Sequence, residues 1–268
     1  MADIIDLEAT HSISYKKSYV AFLDVLGFKN LIYSKKQTDI KKVENYFGIV
    51  NSAIKYLESI DAKQDIGSIV ISDSIILSIP LSDSVTDNIE KLRQLSLAIA
   101  IIQFALALKD IWLRGGISSG NAYFDKNTNQ VVGDAYINAY LLEEKLSINP
   151  RVIIDNKIVS ELNCRSAAEL IQKINSNKAS NWGDDILYDW DTKTINLSTL
   201  EKDIPLFIDY FDFATSRIED GHIPTIIQNI ENNMYNNTTL YKKFKWLSVY
   251  LLTKLKSDYP DIKRLTDL

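Results

Sequence analysis

Two aspartates occupy positions in this chain that a soluble protein normally reserves for apolar residues. Asp24 lies in the segment YVAFLDVLGF, and Asp73 lies in the segment SIVISDSIILSI. Burying an unpaired carboxylate costs several kcal/mol, and no Lys, Arg or His lies within a few residues of either acid to neutralise it. A divalent cation shared by the two carboxylates is the economical explanation, and oxygen ligands suit Mg²⁺ or Mn²⁺. The sequence therefore predicts a metal site built on Asp24 and Asp73.

The composition excludes several other classes of function. With 268 residues, 46% hydrophobic and 24% charged, the chain has the balance of a folded globular protein. A net charge of -5 argues against broad binding to nucleic acid or to anionic membranes. The single cysteine, Cys164, excludes an internal disulfide and leads us to expect a cytoplasmic protein. The longest apolar run, LSLAIAIIQFALAL, is shorter than a membrane span and predicts a buried helix.

Hydrophobic periodicity in the first half of the chain predicts an α+β fold of the ferredoxin-like βαββαβ type. Such a sheet brings the end of the first strand close to the hairpin between the second and third strands. Asp24 and Asp73 are then neighbours in space. The predicted strands are 19–26, 68–71, 75–79, 113–119, a short strand ending at 131–132, and 151–154, and the main helices are 86–109 and 135–146.

The pattern changes after about residue 165. We therefore expect a first domain at 1–165 and a mostly helical C-terminal extension at 166–268, with helices at 206–219, 224–234 and 240–258. No chemistry is evident in the sequence of this extension.

Four segments in order, FLDVLGF, ISDSIILS, LRGGISSGNAYF and VVGDAYINAYLLE, resemble the core of the class III nucleotidyl cyclases. The resemblance covers roughly residues 18 to 155. It implies that Asp24 and Asp73 are catalytic and hold two divalent ions, with the backbone carbonyl of Val25 as a further ligand. One ion would help to deprotonate the ribose 3′ hydroxyl, and the other would steady the triphosphate and the departing pyrophosphate.

Further residues are candidates for nucleotide binding. The resemblance implies that Gly27 and Phe28 begin a helix whose free N–H groups face the phosphates, although Asp24 to Gly27 also fits a simple strand-end turn. Arg114 fits either a contact to the triphosphate or a bracing ion pair with an acid such as Glu143. Tyr136 fits either a contact to the base or aromatic packing in the core or at a dimer interface.

The positions at which this chain departs from the family pattern limit which nucleotide can be its substrate. Adenylyl and guanylyl cyclases commonly place an Asn and an Arg on the helix after the glycine turn, where this chain has Ile137 and Leu141. Adenylyl cyclases also carry a Lys before the metal-binding hairpin and an acid before the glycine turn. The nearest equivalents here are Gly67 and Gln130, which argues against an adenylyl cyclase.

The segments SDS, RGGIS and GDAYINAYLLE are similar to those of the pyrimidine cyclases of the bacterial antiphage system Pycsar, which make cyclic UMP or cyclic CMP. This similarity implies a UTP or CTP substrate, Mn or Mg as cofactor, a homodimer with active sites at the interface, and a separate effector that senses the cyclic nucleotide. Uracil and cytosine are not separable from the sequence. A degenerate cyclase domain that only binds nucleotide or dimerises is the alternative, because Ile137 and Leu141 cannot donate hydrogen bonds.

Overall fold

The computed structural model describes residues 10–60, 66–176, 196–198, 206–212, 221–236, 238–256 and 259–267. Within these ranges the chain forms a mixed α+β fold in which a central sheet is flanked by helices. The strands are β1 (Lys16–Val25), β2 (Gly67–Ile71), β3 (Ser74–Pro80), β4 (Leu113–Asp125), β5 (Gln130–Val132), β6 (Val152–Ile154), β7 (Asn196–Ser198) and β8 (Phe207–Asp209).

The strand order confirms the ferredoxin-like prediction. The sheet runs β2-β3-β1-β4-β6-β8-β7, and β5 pairs with β4 as a side hairpin. Each of the first four strands in this order is antiparallel to its neighbour, which is the arrangement of the split βαβ fold. The predicted strands are found with small shifts of their ends, except that β4 continues six residues beyond the predicted end at Ser119.

Helices cover both faces of the sheet. They are α1 (Phe28–Tyr33), α2 (Gln37–Ile60), α3 (Val85–Ala107), α4 (Asp134–Leu146), α5 (Asn156–Glu161), α6 (Ala167–Ser176), α7 (His222–Asn236), α8 (Thr238–Leu252) and α9 (Ile262–Thr266). The apolar run predicted as a buried helix is α3, and most of its side chains are buried. Within the described ranges, no helix is long and apolar enough to cross a membrane.

Alternation along β1 assigns each residue to a face. Tyr19, Ala21, Leu23 and Val25 point into the main core with α2 and α3. Val20 and Phe22 point to the opposite face, which α4 covers. Asp24 follows Phe22 by two residues and therefore lies on the α4 face.

The prediction of a helix at 206–219 is wrong for the first residues of that range. Phe207–Asp209 forms β8, which pairs with β6 and with β7, and residues 213–219 lie outside the described part of the chain. Short apolar runs fit a buried strand or a helix equally well, so periodicity does not separate them. The other two predicted helices are α7 and α8, but α8 ends at Leu252, so the predicted end at residue 258 is wrong; residues 253–256 are not helical, and 257–258 are not described. Strands from beyond residue 165 thus extend the sheet of the first half.

Candidate active site

The two predicted acids lie at one end of the sheet, on elements that are hydrogen-bonded neighbours. Asp24 is the penultimate residue of β1 and pairs with Ser74, the first residue of β3. Asp73 precedes Ser74 in the two-residue turn of the β2–β3 hairpin, where Ser72 has a φ of 58°. Turns of this length favour positive φ and match the twist of the paired strands. Continuing the β1–β3 register by one residue places Val25 opposite Asp73.

The backbone of β1 also points one group toward this turn. The N–H of Leu26 donates to the carbonyl of Trp112 in the direction of β4. Since backbone groups of successive strand residues point to opposite sides, the carbonyl of Val25 points toward the β2–β3 hairpin. The register therefore places the Val25 carbonyl on the same side of β1 as Asp73.

The electrostatics of Asp24 reflect this proximity. Burial raises the pKa of the Asp24 carboxyl, and the negative charge of Asp73 raises it further, against an opposing effect of Arg114. The side chain of Asp24 is 21% exposed, so the carboxylate is only partly buried at the end of the sheet. Two carboxylates and a nearby carbonyl form an oxygen donor set that fits Mg²⁺ or Mn²⁺, and a cation would relieve the repulsion between them.

This donor set is small. In the part of the chain that the structure describes, no group of three or more His, Cys, Asp and Glu side chains is arranged to hold a metal ion. The two aspartates would therefore rely on backbone, water or substrate oxygens to complete an octahedral shell, which is common for Mg²⁺.

Arg114 is a cationic neighbour of Asp24, although no basic residue lies close to Asp24 in sequence. It lies opposite Asp24 on β4, and its guanidinium donates to the Asp24 carboxylate over 3.4 Å. The neighbour is ninety residues away in sequence, so local inspection of the chain misses it. The same guanidinium lies 2.7 Å from Glu143 on α4. This is the ion pair that the sequence analysis gave as one of two expectations for Arg114. Arg114 thus links the metal-site candidate to α4.

Glu143 is buried on α4 beneath this arginine. Burial raises the pKa of its carboxyl, Arg114 lowers it, and Asp24 raises it again. The positive charge of Arg114 is therefore divided between two carboxylates.

Gly27 and Phe28 lie where β1 turns into α1. Gly27 has a φ of 77°, which an L side chain rarely adopts, and α1 begins at Phe28. The helix has six residues, and the Phe28 side chain is buried with its ring 5.4 Å from that of Tyr46 on α2. The contact between the backbone N–H groups of this turn and a phosphate stays a prediction.

Tyr136 lies on the first turn of α4 and contacts the sheet edge-on. Its ring centroid is 6.1 Å from that of Phe22, and Tyr140 approaches the same ring at 5.4 Å. The aromatic packing considered from the sequence is therefore present. A contact between Tyr136 and a base stays a prediction.

Sequence reasoning missed two residues near this site. Tyr46 is fully buried, its hydroxyl has no hydrogen-bond partner among the described residues, and Asp73 and Asp24 add to the effect of burial in raising its pKa. Lys243, on α8 of the extension, interacts electrostatically with Arg114 and Glu143. Nothing in the sequence around Tyr46 relates it to the two acids, and nothing in the sequence around Lys243 relates it to β4.

A cavity of about 350 Å³ lies elsewhere, at the opposite end of the sheet. Residues from the start of β1, the end of β3 and the β4–β5 hairpin line it, including Lys16, Ser78 and Tyr123. It is remote from Asp24 and Asp73 along the strands and does not belong to the candidate site.

No protein-family model matches the chain, and no curated protein matches it. Solved structures do match. The adenylyl cyclase CyaB from P. aeruginosa is 14% identical, with a TM-score of 0.43, over 74% of this chain and 94% of that chain. A dimeric guanylyl cyclase domain of the RhoGC fusion protein from the aquatic fungus Blastocladiella emersonii is 18% identical, with a TM-score of 0.40, over 57% and 87%. At such identities and TM-scores, the functional argument rests on the site itself.

Proposed function

We propose that this protein is a metal-dependent pyrimidine nucleotide cyclase that converts UTP to 3′,5′-cyclic UMP and pyrophosphate. The observation that carries the proposal is the pairing of Asp24 with Ser74, which brings Asp24 beside Asp73 at one end of the sheet. The four sequence segments that resemble class III nucleotidyl cyclases contain both acids and support the same reading. Cyclic CMP from CTP is the alternative product.

The chemistry assigned to the acids follows from their charge. Two divalent cations, Mn²⁺ or Mg²⁺, would when bound help to ionise the ribose 3′ hydroxyl and offset the charge of the triphosphate and pyrophosphate. Asp24 and Asp73 would hold these ions with the carbonyl of Val25. Arg114 would keep the Asp24 carboxylate ionised and oriented from the β4 side, since it donates to that carboxylate. The N–H groups at Gly27 and Phe28 would bind phosphate oxygens.

The pyrimidine assignment rests on the sequence resemblance, in which Gly67 stands at the position of the adenine-reading lysine and carries no side chain that could donate a hydrogen bond. Tyr136 on α4 is then the candidate for a contact to the base.

A homodimer with active sites at the interface is part of the proposal. Helix α4 carries Glu143 on its sheet side, yet it leaves Ile137 52% and Tyr140 38% exposed. A second copy of the chain would cover these apolar side chains and place its own residues near the site. We further propose that residues 1–165 are the catalytic domain, that 166–268 are an extension, and that the product is a second messenger sensed by a separate effector in antiphage defence.

Incubation of the purified protein with each of the four ribonucleoside triphosphates and Mn²⁺, followed by mass spectrometry of the products, tests the activity. We expect cyclic UMP and pyrophosphate from UTP, and their loss in Asp24→Asn and Asp73→Asn. Asp83→Asn is the matched control, because it makes the same chemical change at an exposed residue. A cyclic purine product, or an unchanged rate in Asp24→Asn, would contradict the proposal.

A second candidate function is a nucleotide-binding or dimerisation module without turnover. The apolar residues Ile137 and Leu141 favour it, because a functional cyclase usually has hydrogen-bond donors at these positions of α4. Steady release of pyrophosphate that is lost in Asp24→Asn excludes this candidate. Metal-dependent binding of UTP without any product supports it.

A further inference from the structure

Lys243, on α8 of the C-terminal extension, is a partly buried cation without an ion-pair partner. Burial lowers the pKa of its ammonium group, the positive charge of Arg114 lowers it further, and Glu143 opposes both effects. Within the described residues, Lys243 forms no salt bridge or hydrogen bond. A charge that is partly desolvated and repelled by an arginine is unfavourable in the free protein unless an anion joins it.

The packing of α7 and α8 fixes Lys243 at the end of the sheet that carries the acids. The next residue, Phe244, is buried, and its ring lies 5.4 Å from that of Trp112. Trp112 directly precedes β4 and lies two residues before Arg114. In α7, the Asn229 side chain donates to the carbonyl of Ala107 at the end of α3.

A second contact from α7 reinforces this anchoring. The Asn233 side chain donates to the carboxylate of Asp110, in the turn that joins α3 to β4. Asp110 also accepts a hydrogen bond from the Trp112 indole, so the turn, Trp112 and α7 form one connected unit. The position of Lys243 is therefore set by several contacts that do not involve its own charge.

None of the ion pairs that the described residues form around this position includes Lys243. Arg114 lies 3.4 Å from Asp24 and 2.7 Å from Glu143, and these two carboxylates share its charge. Lys243 adds a second positive charge to the same group. An ammonium group is a compact charge that binds phosphate oxygens well.

We propose that Lys243 binds the polyphosphate tail of the substrate, so that the C-terminal extension completes the nucleotide site. This inference rests on the proposed function, because it takes a nucleoside triphosphate as the ligand. Phosphate oxygens bound beside Asp24 and Asp73 would lie next to Arg114, which contacts Asp24. Lys243 interacts electrostatically with the same Arg114. The extension then has a function in substrate binding in addition to extending the sheet.

Isothermal titration with inorganic tripolyphosphate in the presence of Mg²⁺ tests the inference without any contribution from the base. We expect Lys243→Gln to weaken tripolyphosphate binding about tenfold, as is typical for loss of one hydrogen bond to a charged group. Lys242→Gln is the matched control, since it removes the same charge from an exposed residue of the same helix. The control should bind within about twofold of the parent, and Lys243→Arg should retain most of the affinity.

The thermal stability of the variants separates binding from a structural role. Because burial and Arg114 both disfavour the charged ammonium, Lys243→Gln should melt no lower than Lys242→Gln. Equal affinities of these two variants for tripolyphosphate, or a lower melting temperature of Lys243→Gln, would overturn the inference.

The inference and the proposed function fail in different ways. If the parent protein makes a cyclic nucleotide while Lys243→Gln keeps full affinity for tripolyphosphate, only the role of Lys243 is wrong. If the parent binds neither UTP nor tripolyphosphate, both proposals are wrong.

Discussion

The substitution Asp24→Asn should stabilise the metal-free protein while it removes the response to Mn²⁺. The negative charge of Asp73 raises the pKa of Asp24, and two unit charges about 6–8 Å apart repel by about 2–3 kcal/mol at an effective dielectric constant near 20. The attraction between Asp24 and Arg114 offsets part of this repulsion, and Arg114 keeps Glu143 as a partner in the variant. We expect a net gain of about 1 kcal/mol in the free energy of unfolding.

Addition of Mn²⁺ should reverse this order of stabilities. At a free concentration about 100 times the dissociation constant, binding to the folded state adds about 2.7 kcal/mol to the free energy of unfolding of the parent. The Asp24→Asn variant lacks one of the two carboxylates and should gain little. Urea denaturation of both proteins, with and without Mn²⁺, measures all four values.

Two results would refute this reasoning. A metal-free Asp24→Asn variant that is less stable than the parent would show that Asp24 is satisfied by Arg114 alone. An equal gain from Mn²⁺ in parent and variant would show that the ion binds elsewhere. Asp83→Asn is the control and should behave as the parent does under both conditions.

Three other substitutions test packing and electrostatics in other parts of the fold. Gly116→Ala should cost about 1–3 kcal/mol in urea denaturation, because its Cβ would lie 2.5 Å from the Leu142 Cβ and push α4 off the sheet; an unchanged stability would contradict this close packing. Burial and the neighbouring Asp209 raise the pKa of Asp212 to about 6, so the free energy of unfolding should fall as pH rises from about 4 to 6. In Asp212→Asn, the free energy of unfolding should fall less steeply with pH, by at most about 1.4 kcal/mol per pH unit. An identical pH profile in the parent and the variant would show that the pKa of Asp212 is not raised. Tyr46→Phe should leave stability unchanged or raise it by up to about 1 kcal/mol, because the Tyr46 hydroxyl has no hydrogen-bond partner in the described part of the chain; a clear loss of stability would reveal a hydrogen bond.

Much of the fold follows from local sequence signals. Gly27 marks the end of β1 because its φ of 77° is rarely open to other residues, and the Ser72-Asp73 turn separates two clearly apolar strands. Once these elements are placed, the βαββαβ order alone brings Asp24 beside the hairpin. The central pair of acids was therefore predictable without any knowledge of side-chain contacts.

The rest of the site depends on tertiary packing that leaves no local signal. Arg114 reaches Asp24 only because β4 pairs with β1, so the residues close to Asp24 in sequence give no sign of this contact. The approach of Lys243 depends on the packing of Phe244 against Trp112, two residues that are distant in sequence. The segment 206–219 was predicted as a helix because a short apolar run carries no periodicity that identifies β8.

Counting bound Mn²⁺ by electron paramagnetic resonance, in the parent and in single variants of the two acids, tests the central claim most directly. If Asp24 and Asp73 hold the same ions, Asp24→Asn and Asp73→Asn should each abolish the same class of tight sites, and Asp83→Asn should leave it intact. Unchanged Mn²⁺ binding in either Asp24→Asn or Asp73→Asn, or independent loss of separate sites, would contradict a shared metal centre.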